Sequence, residues 1–158
     1  MKEQSKNPKQ KAVRAIPEGF HSVTPFLVVD EASKLISFTK KAFDGKMTSI
    51  FNMDDGKVMH ATVRIGDSEI MIADSMDQFP AGVAKLYLYV EDVDATYKQA
   101  TNAGGESLRE PTDEFYGDRS AGVKDAWGNE WWIATHIEDV GAEEMKKRQK
   151  EFMRKEPA

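Results

Sequence analysis

Apolar positions along the chain switch between a period of two and a helical period, and the switching happens twice. Ser22 to Val29 is apolar and rich in β-formers, which predicts a strand, with Pro25 pointing to an edge position or a bulge. Asp30 is the expected N-cap of a helix. Ala32, Leu35, Ile36, Phe38, Thr39 and Phe43 then recur at helical spacing until Asp44-Gly45 ends the run. Three strands follow, over Thr48–Met53, Val58–Ile65 and Glu69–Ala73, separated by the turn formers Asp54-Asp55-Gly56 and Gly66-Asp67-Ser68. The first unit reads β-α-β-β-β.

Ser75 to Gly82, carrying Pro80 and Gly82, reads as a linker, and the same order returns beyond it. Lys85–Val90 is an expected strand. Val93, Tyr97 and Ala100 give a helix its inner face, and Ala103-Gly104-Gly105 stops it. Strands are expected near Glu106–Arg109, Gly122–Lys124 and Glu130–Thr135, with Glu110 to Ala121 as a long loop. The repetition extends to the residues. Ile70-Met71-Ile72-Ala73-Asp74 returns as Trp131-Trp132-Ile133-Ala134-Thr135, each after a Glu and a Gly turn, at an offset of about 61 residues. Val28-Val29-Asp30 and Val90-Glu91-Asp92 share that offset. The unit is too long for a solenoid repeat and too short for a comfortable independent domain. The expectation is one α+β domain of two tandem βαβββ modules, 18–75 and 83–137, whose curved mixed sheets form a groove. Residues 1–17 lack periodic apolar positions and read as a disordered tail. Within 138–158, Glu143 to Arg154 reads as a charged helix anchored by Met145, Phe152 and Met153, packing on the body or on a second subunit.

With 158 residues and 40% apolar content, there is enough chain for one real core. Cysteine is absent, which removes disulfides, thiolate metal sites and thiol nucleophiles. Residues 1–16 carry five Lys/Arg against one Glu, and residues 143–158 carry six against four. Since the whole chain is −5, the body between them is strongly acidic. Such a body disfavours tracking of phosphates, so no nucleic-acid partner is expected. The lysine-rich start has no apolar stretch behind it and no segment has membrane-span length, so a cytoplasmic protein is expected.

Thr24-Pro25-Phe26-Leu27-Val28-Val29-Asp30, the helix to Phe43, Val90-Glu91-Asp92 and Asp125-Ala126-Trp127-Gly128-Asn129 resemble the vicinal oxygen chelate superfamily. That superfamily holds glyoxalases, bleomycin-resistance proteins, fosfomycin-resistance enzymes and extradiol dioxygenases. The last segment copies its Asp-Pro-x-Gly turn, with Ala126 in place of Pro. Gly19 to Pro25, Arg64 to Ser68 and Tyr116-Gly117-Asp118-Arg119 resemble a glyoxalase-like branch near the phosphonate-operon proteins. The resemblance spans residues 18–137 and implies the glyoxalase/bleomycin-resistance fold, with grooves commonly closed by pairing modules across subunits, so a homodimer is expected.

Metal enzymes of this superfamily bind a divalent ion through His and Glu in the groove, where it polarises vicinal oxygens. Matched to that pattern, the four ligand positions fall on Val23, Met71, Lys85 and Trp132. None is a suitable ligand. The resemblance therefore implies a site without metal or cofactor. Met71 and Trp132 become an apolar, aromatic floor for a planar ligand, or core filling; Lys85 becomes a cation for a carboxylate or phosphonate, or an exposed lysine at a strand start. His60 shares a strand face with Val58, Thr62 and Arg64 and is either a polar sheet-face residue or a candidate base or hydrogen-bond donor. Tyr116 and Arg119 lie in the most polar run of the second module. Arg119 is either a bidentate clamp for a ligand carboxylate or the partner of Asp118 or Asp125. The expected function is small-molecule binding without metal. The alternatives are an isomerase-, lyase- or dioxygenase-like enzyme with a displaced site, and a dimeric interaction module.

Overall fold

In a computed structural model, residues 12–156 are described. The disordered tail expected at the start falls largely on residues 1–11, outside the described part. Each half of the chain builds a four-stranded mixed sheet with one helix behind it. The first comprises β1 (Phe26–Val29), α1 (Ala32–Phe43), β2 (Lys46–Asn52), β3 (Val58–Ile65) and β4 (Ser68–Asp74), in spatial order β1-β4-β3-β2. The second comprises β5 (Lys85–Tyr89), α2 (Val93–Asn102), β6 (Glu106–Asp113), β7 (Asp118–Lys124) and β8 (Glu130–His136), in order β5-β8-β7-β6. A third helix, α3 (Ala142–Lys155), closes the described chain. In each module the first strand runs parallel to the last and the other pairs are antiparallel.

The sheets are two-faced. Leu27, Val29, Val63, Ile70 and Ile72 of the first, and Ala121, Val123, Trp131 and Ile133 of the second, are buried beneath the helices in one common core. Their alternating neighbours form the two concave faces. The modules meet through the helix side. The Phe43 ring of α1 lies 4.8 Å from that of Trp131. Gln99 of α2 donates to the Lys41 carbonyl at 2.9 Å, and the Trp127 indole N–H donates to the Asp30 carbonyl at 2.6 Å. No strand of one sheet pairs with a strand of the other.

Two expectations give way. Asp30 does not cap α1: its carboxylate bonds the Ser75 hydroxyl, and Glu31 occupies the cap position in a left-handed conformation without a side-chain bond. The cap comes from β4, where buried Asp74 accepts from the Ala32 N–H at 2.9 Å and from the Val58 N–H at 2.7 Å. The repeat carries this device into the second module. There Thr135, at the matching position of β8, accepts from the Val93 N–H at 2.9 Å. The expected Glu110–Ala121 loop is instead mostly hairpin, with β6 reaching Asp113 and β7 starting at Asp118. Pro111 is tolerated because β6 is an edge strand, where a missing N–H breaks no ladder, and two register shifts absorb the irregularity.

Asp74→Ala leaves two backbone donors without their acceptor and is expected to cost about 1–3 kcal/mol. Thr135→Val removes the acceptor of a single such donor and should cost less. Urea unfolding of both variants checks the order.

Candidate functional site

The register identifies what each concave face displays. On the first sheet, Phe26 lies opposite Met71, Met71 opposite Thr62, and Phe51 opposite His60. The Phe26 and His60 rings are 6.0 Å apart. On the second, Tyr87 lies opposite Trp132, Trp132 opposite Gly122, and Gly122 opposite Arg109. Gly122 matters sterically. A Cβ there would stand 2.7–3.0 Å from three carbons of the Trp132 benzo ring, so the indole lies down against the bare glycine backbone. The result is a half-buried indole packed flat on the concave side of β8.

The Asp125-Ala126-Trp127-Gly128-Asn129 turn fixes the start of β8. Asp125 accepts from the Asn129 side chain at 3.0 Å and from the Trp131 indole at 2.9 Å, while the Asn129 side-chain oxygen accepts from the Ala84 N–H at 2.8 Å. Trp131 is thereby locked into the core, and the pleat sends Trp132 to the concave side.

Beside Trp132 stands a polar wall. Asp118, only 3% exposed, accepts from Tyr89 at 2.9 Å, from Tyr87 at 3.1 Å and from the His136 Nδ1 at 2.8 Å. The other imidazole nitrogen faces Asp139 at 2.7 Å. One carboxylate stands at each imidazole nitrogen, an arrangement that favours the doubly protonated ring. Hydrogen bonds to Asp118 and then Asp139 raise the His136 pKa. Burial alone would push Asp118 up, but the bonds from His136, Tyr89 and Tyr87 outweigh it and hold the carboxyl below its ordinary value. Tyr87 is pushed well above the usual phenol range, first by burial and then by its bonds to Tyr116 and Asp118. With Tyr116 and Met145 these groups line an open recess of about 480 Å³. A larger cleft of about 1360 Å³ lies between the modules, along the free edge of β5 and the β3–β4 turn.

Of the residues singled out in the sequence, His60 and Met71 share the first concave face, and Trp132 lies on the second with Tyr116 at its recess. Three stand elsewhere or are already engaged. Val23 precedes β1 and is 86% exposed; the strand residue facing Met71 is Phe26. Lys85 is on the right face but at the outer end of β5, 78% exposed and 3.2 Å from Glu130. Arg119 points to the helix side, where it grips Asp94 through Nε at 2.8 Å and Nη2 at 2.9 Å, and Asp113 at 3.0 Å. It orders α2 against the β6–β7 hairpin, and neither Asp118 nor Asp125 is its partner. Phe26, Tyr87, Tyr89 and Arg109 escaped the sequence reading. Period-two alternation through Lys85-Leu86-Tyr87-Leu88-Tyr89 carried the signal for the tyrosines.

The residues facing the groove are a poor match for the superfamily's metal. Phe26, Met71, Tyr87 and Trp132 supply two hydrocarbon or indole rings, a thioether and a phenol already bonded to Asp118. Among the described residues no group of three or more His, Cys, Asp or Glu is arranged to hold a metal ion.

Comparison with known proteins fits this geometry. The model of the Glyoxalase/Bleomycin resistance protein/Dioxygenase superfamily matches residues 19–133. The chain belongs to this superfamily. It is similar to an uncharacterized protein of Mycobacterium tuberculosis, 32% identical over 135 residues that cover 78% of this chain and 79% of the relative. The fold is shared with the PhnB protein of Bacillus cereus, described as a putative 3-demethylubiquinone-9 3-methyltransferase. That match has a TM-score of 0.59 at 21% identity, over 73% of this chain and 99% of that one. TnmS3, an antibiotic binding protein from Streptomyces sp. CB03234, superposes with a TM-score of 0.57 at 20% identity, over 73% and 97% of the two chains. No described helix is long and apolar enough to cross a membrane.

The His136–Asp118 pair gives a signed pH dependence. A raised His136 pKa adds stability that is complete below its ordinary 6.5 and is lost as pH rises through the raised folded value. The lowered Asp118 pKa adds stability that is present above 3.8 and is lost as pH falls through its folded value. Asp118→Asn is therefore expected to be most destabilising, relative to the parent, between those limits. NMR titration of the imidazole should also show the His136 pKa falling toward 6.5 in that variant.

Proposed function

We propose that this protein binds a planar, aromatic small molecule without a metal, on concave faces that are completed by pairing two copies of the chain in the cytoplasm. The observation that carries the reading is the Trp132 indole laid flat over Gly122, with Tyr87 beside it in the same row. An indole held flat on backbone and only partly buried is a stacking surface for a planar ring, and stacking contributes about 0.5–1.5 kcal/mol beyond area burial. The first sheet supplies a matching apolar face in Phe26, Phe51 and Met71. The donor set supports metal independence, because the facing strand positions hold Phe26, Met71, Tyr87 and Trp132, and none of these offers the imidazole or carboxylate that a Lewis-acid site needs. Antibiotic binding by TnmS3 is in keeping with such a role.

Pairing between copies is supported by the back-to-back arrangement within one chain. Because the modules join through their helix sides, neither concave face covers the other. Phe26, Phe51, Tyr87 and Tyr89 stay 47%, 62%, 47% and 64% exposed. Exposed aromatic surface on that scale, beside an unpaired edge strand, calls for a partner. A second copy offers the complementary module by twofold symmetry.

Two outcomes are expected. Sedimentation equilibrium at micromolar concentration gives twice the chain mass; a monomer at high concentration removes the paired groove. Extensively dialysed protein binds naphthol, a neutral planar probe, with far less than one equivalent of transition metal present. Trp132→Ala then weakens that binding by up to about tenfold. Stoichiometric metal, or unchanged affinity in the variant, would falsify the reading.

A further inference from the structure

We propose that Arg109 is the oxyanion-binding pole of the Trp132 platform, so that the ligand is a planar ring system carrying a carboxylate or similar anionic group on its edge. This rests on the planar-ligand reading above. Three observations lead to it. Arg109 is directly opposite Gly122 on the concave face, in the row Tyr87, Trp132, Gly122, Arg109. The Trp132 benzo ring lies over Gly122, toward Arg109. The ladder between β6 and β7 breaks register on both sides of Arg109, between Ser107 and Arg109 and again between Arg109 and Thr112. Bulges of this kind bend a strand and re-aim the side chain they flank.

The guanidinium is steadied and still half-open. Its Nη1 is 2.8 Å from the Glu114 carboxylate, and that carboxylate also accepts from the Ser120 hydroxyl at 2.8 Å. Glu114 is nearly buried, with an 8% exposed side chain, whereas the Arg109 side chain is 42% exposed. The buried carboxylate engages one nitrogen, and the remaining N–H groups of the half-exposed guanidinium are left to meet an incoming oxyanion. Trp132 and Arg109 are separated by two strand spacings, about 10 Å. A bicyclic ring stacked on the indole spans that interval and brings an edge carboxylate to the guanidinium. The other basic side chains of the second module's sheet are committed elsewhere: Lys85 and Lys124 face Glu130 and Glu106 at the outer end, His136 lies between Asp118 and Asp139, and Arg119 is on the opposite side.

The test compares naphthalene carboxylate with its neutral near-isostere, naphthalene carboxamide, by isothermal titration calorimetry on the full chain. The parent is expected to prefer the carboxylate about tenfold, the scale of one charge-assisted contact. Arg109→Met should erase the preference and leave carboxamide affinity unchanged. Since Arg109→Met strands the buried Glu114 charge, the balanced double variant Arg109→Met with Glu114→Gln serves as the second arm, with the same expected loss. Lys85→Met should retain the preference. Gly122→Ala should weaken both probes alike by lifting the indole. A carboxylate preference that survives both Arg109 variants, or equal binding of the two probes by the parent, overturns the subsite alone. Failure of the parent to bind either probe overturns the planar-ligand reading and the subsite with it.

Discussion

Trp131 is the hinge on which the architecture turns. It is the largest fully buried side chain, its indole N–H is held by buried Asp125, and its ring packs on Phe43 of the other module. That contact draws the helix side of the second sheet against α1 and makes one core out of two modules. Each module alone is too small to bury a self-sufficient core. Joining them through their helix sides satisfies the hydrophobic demand and leaves both concave faces unspent. Structure and function are thereby separated by the pleat: at Trp131 and Trp132, adjacent residues serve opposite sides of one strand.

Duplication fixes the frame, and divergence within it differentiates the two faces. Asp74 and Thr135 perform the same capping task at matching positions, one as a carboxylate and the other as a hydroxyl. Phe26 and Met71 in the first module correspond to Tyr87 and Trp132 in the second. The first face consequently centres on apolar Phe26 and Met71, with His60 beside Phe26. The second places hydroxyls, a buried carboxylate and an imidazole along the wall of an aromatic floor. A ligand between them would meet apolar contact on one side and directional polar groups on the other, an arrangement suited to orienting a mostly aromatic molecule.

Charge in the second module is organised locally. Asp118 is satisfied by three donors, Glu114 by Ser120 and Arg109, and Glu130 by Lys85. The chain's net acidity therefore says little about the sign of the field a ligand meets. What matters is which cation keeps unshared donors toward the groove. Arg119 is fully occupied by Asp94 and Asp113 on the helix side, whereas the bulged edge strand presents Arg109 on the concave side.

The sequence by itself determined the module order and the superfamily. These follow from local periodicity and turn chemistry, which the chain expresses within a few residues. Its Asp125–Asn129 turn and its helix stops were legible for the same reason. Tertiary structure alone decided what depends on distant partners. The cap of α1 comes from Asp74, 42 residues away, so Asp30 could not be excluded by reading its neighbours. β6 continues through Pro111 only because it lies at a sheet edge, a property of strand order. Likewise Arg119 and Arg109 look equally available in the sequence, and only the register of β6 against β7 assigns them to opposite faces. The flatness of Trp132 is a cross-strand property too, since it requires the absence of a side chain at Gly122, which only sheet pairing brings beneath the ring.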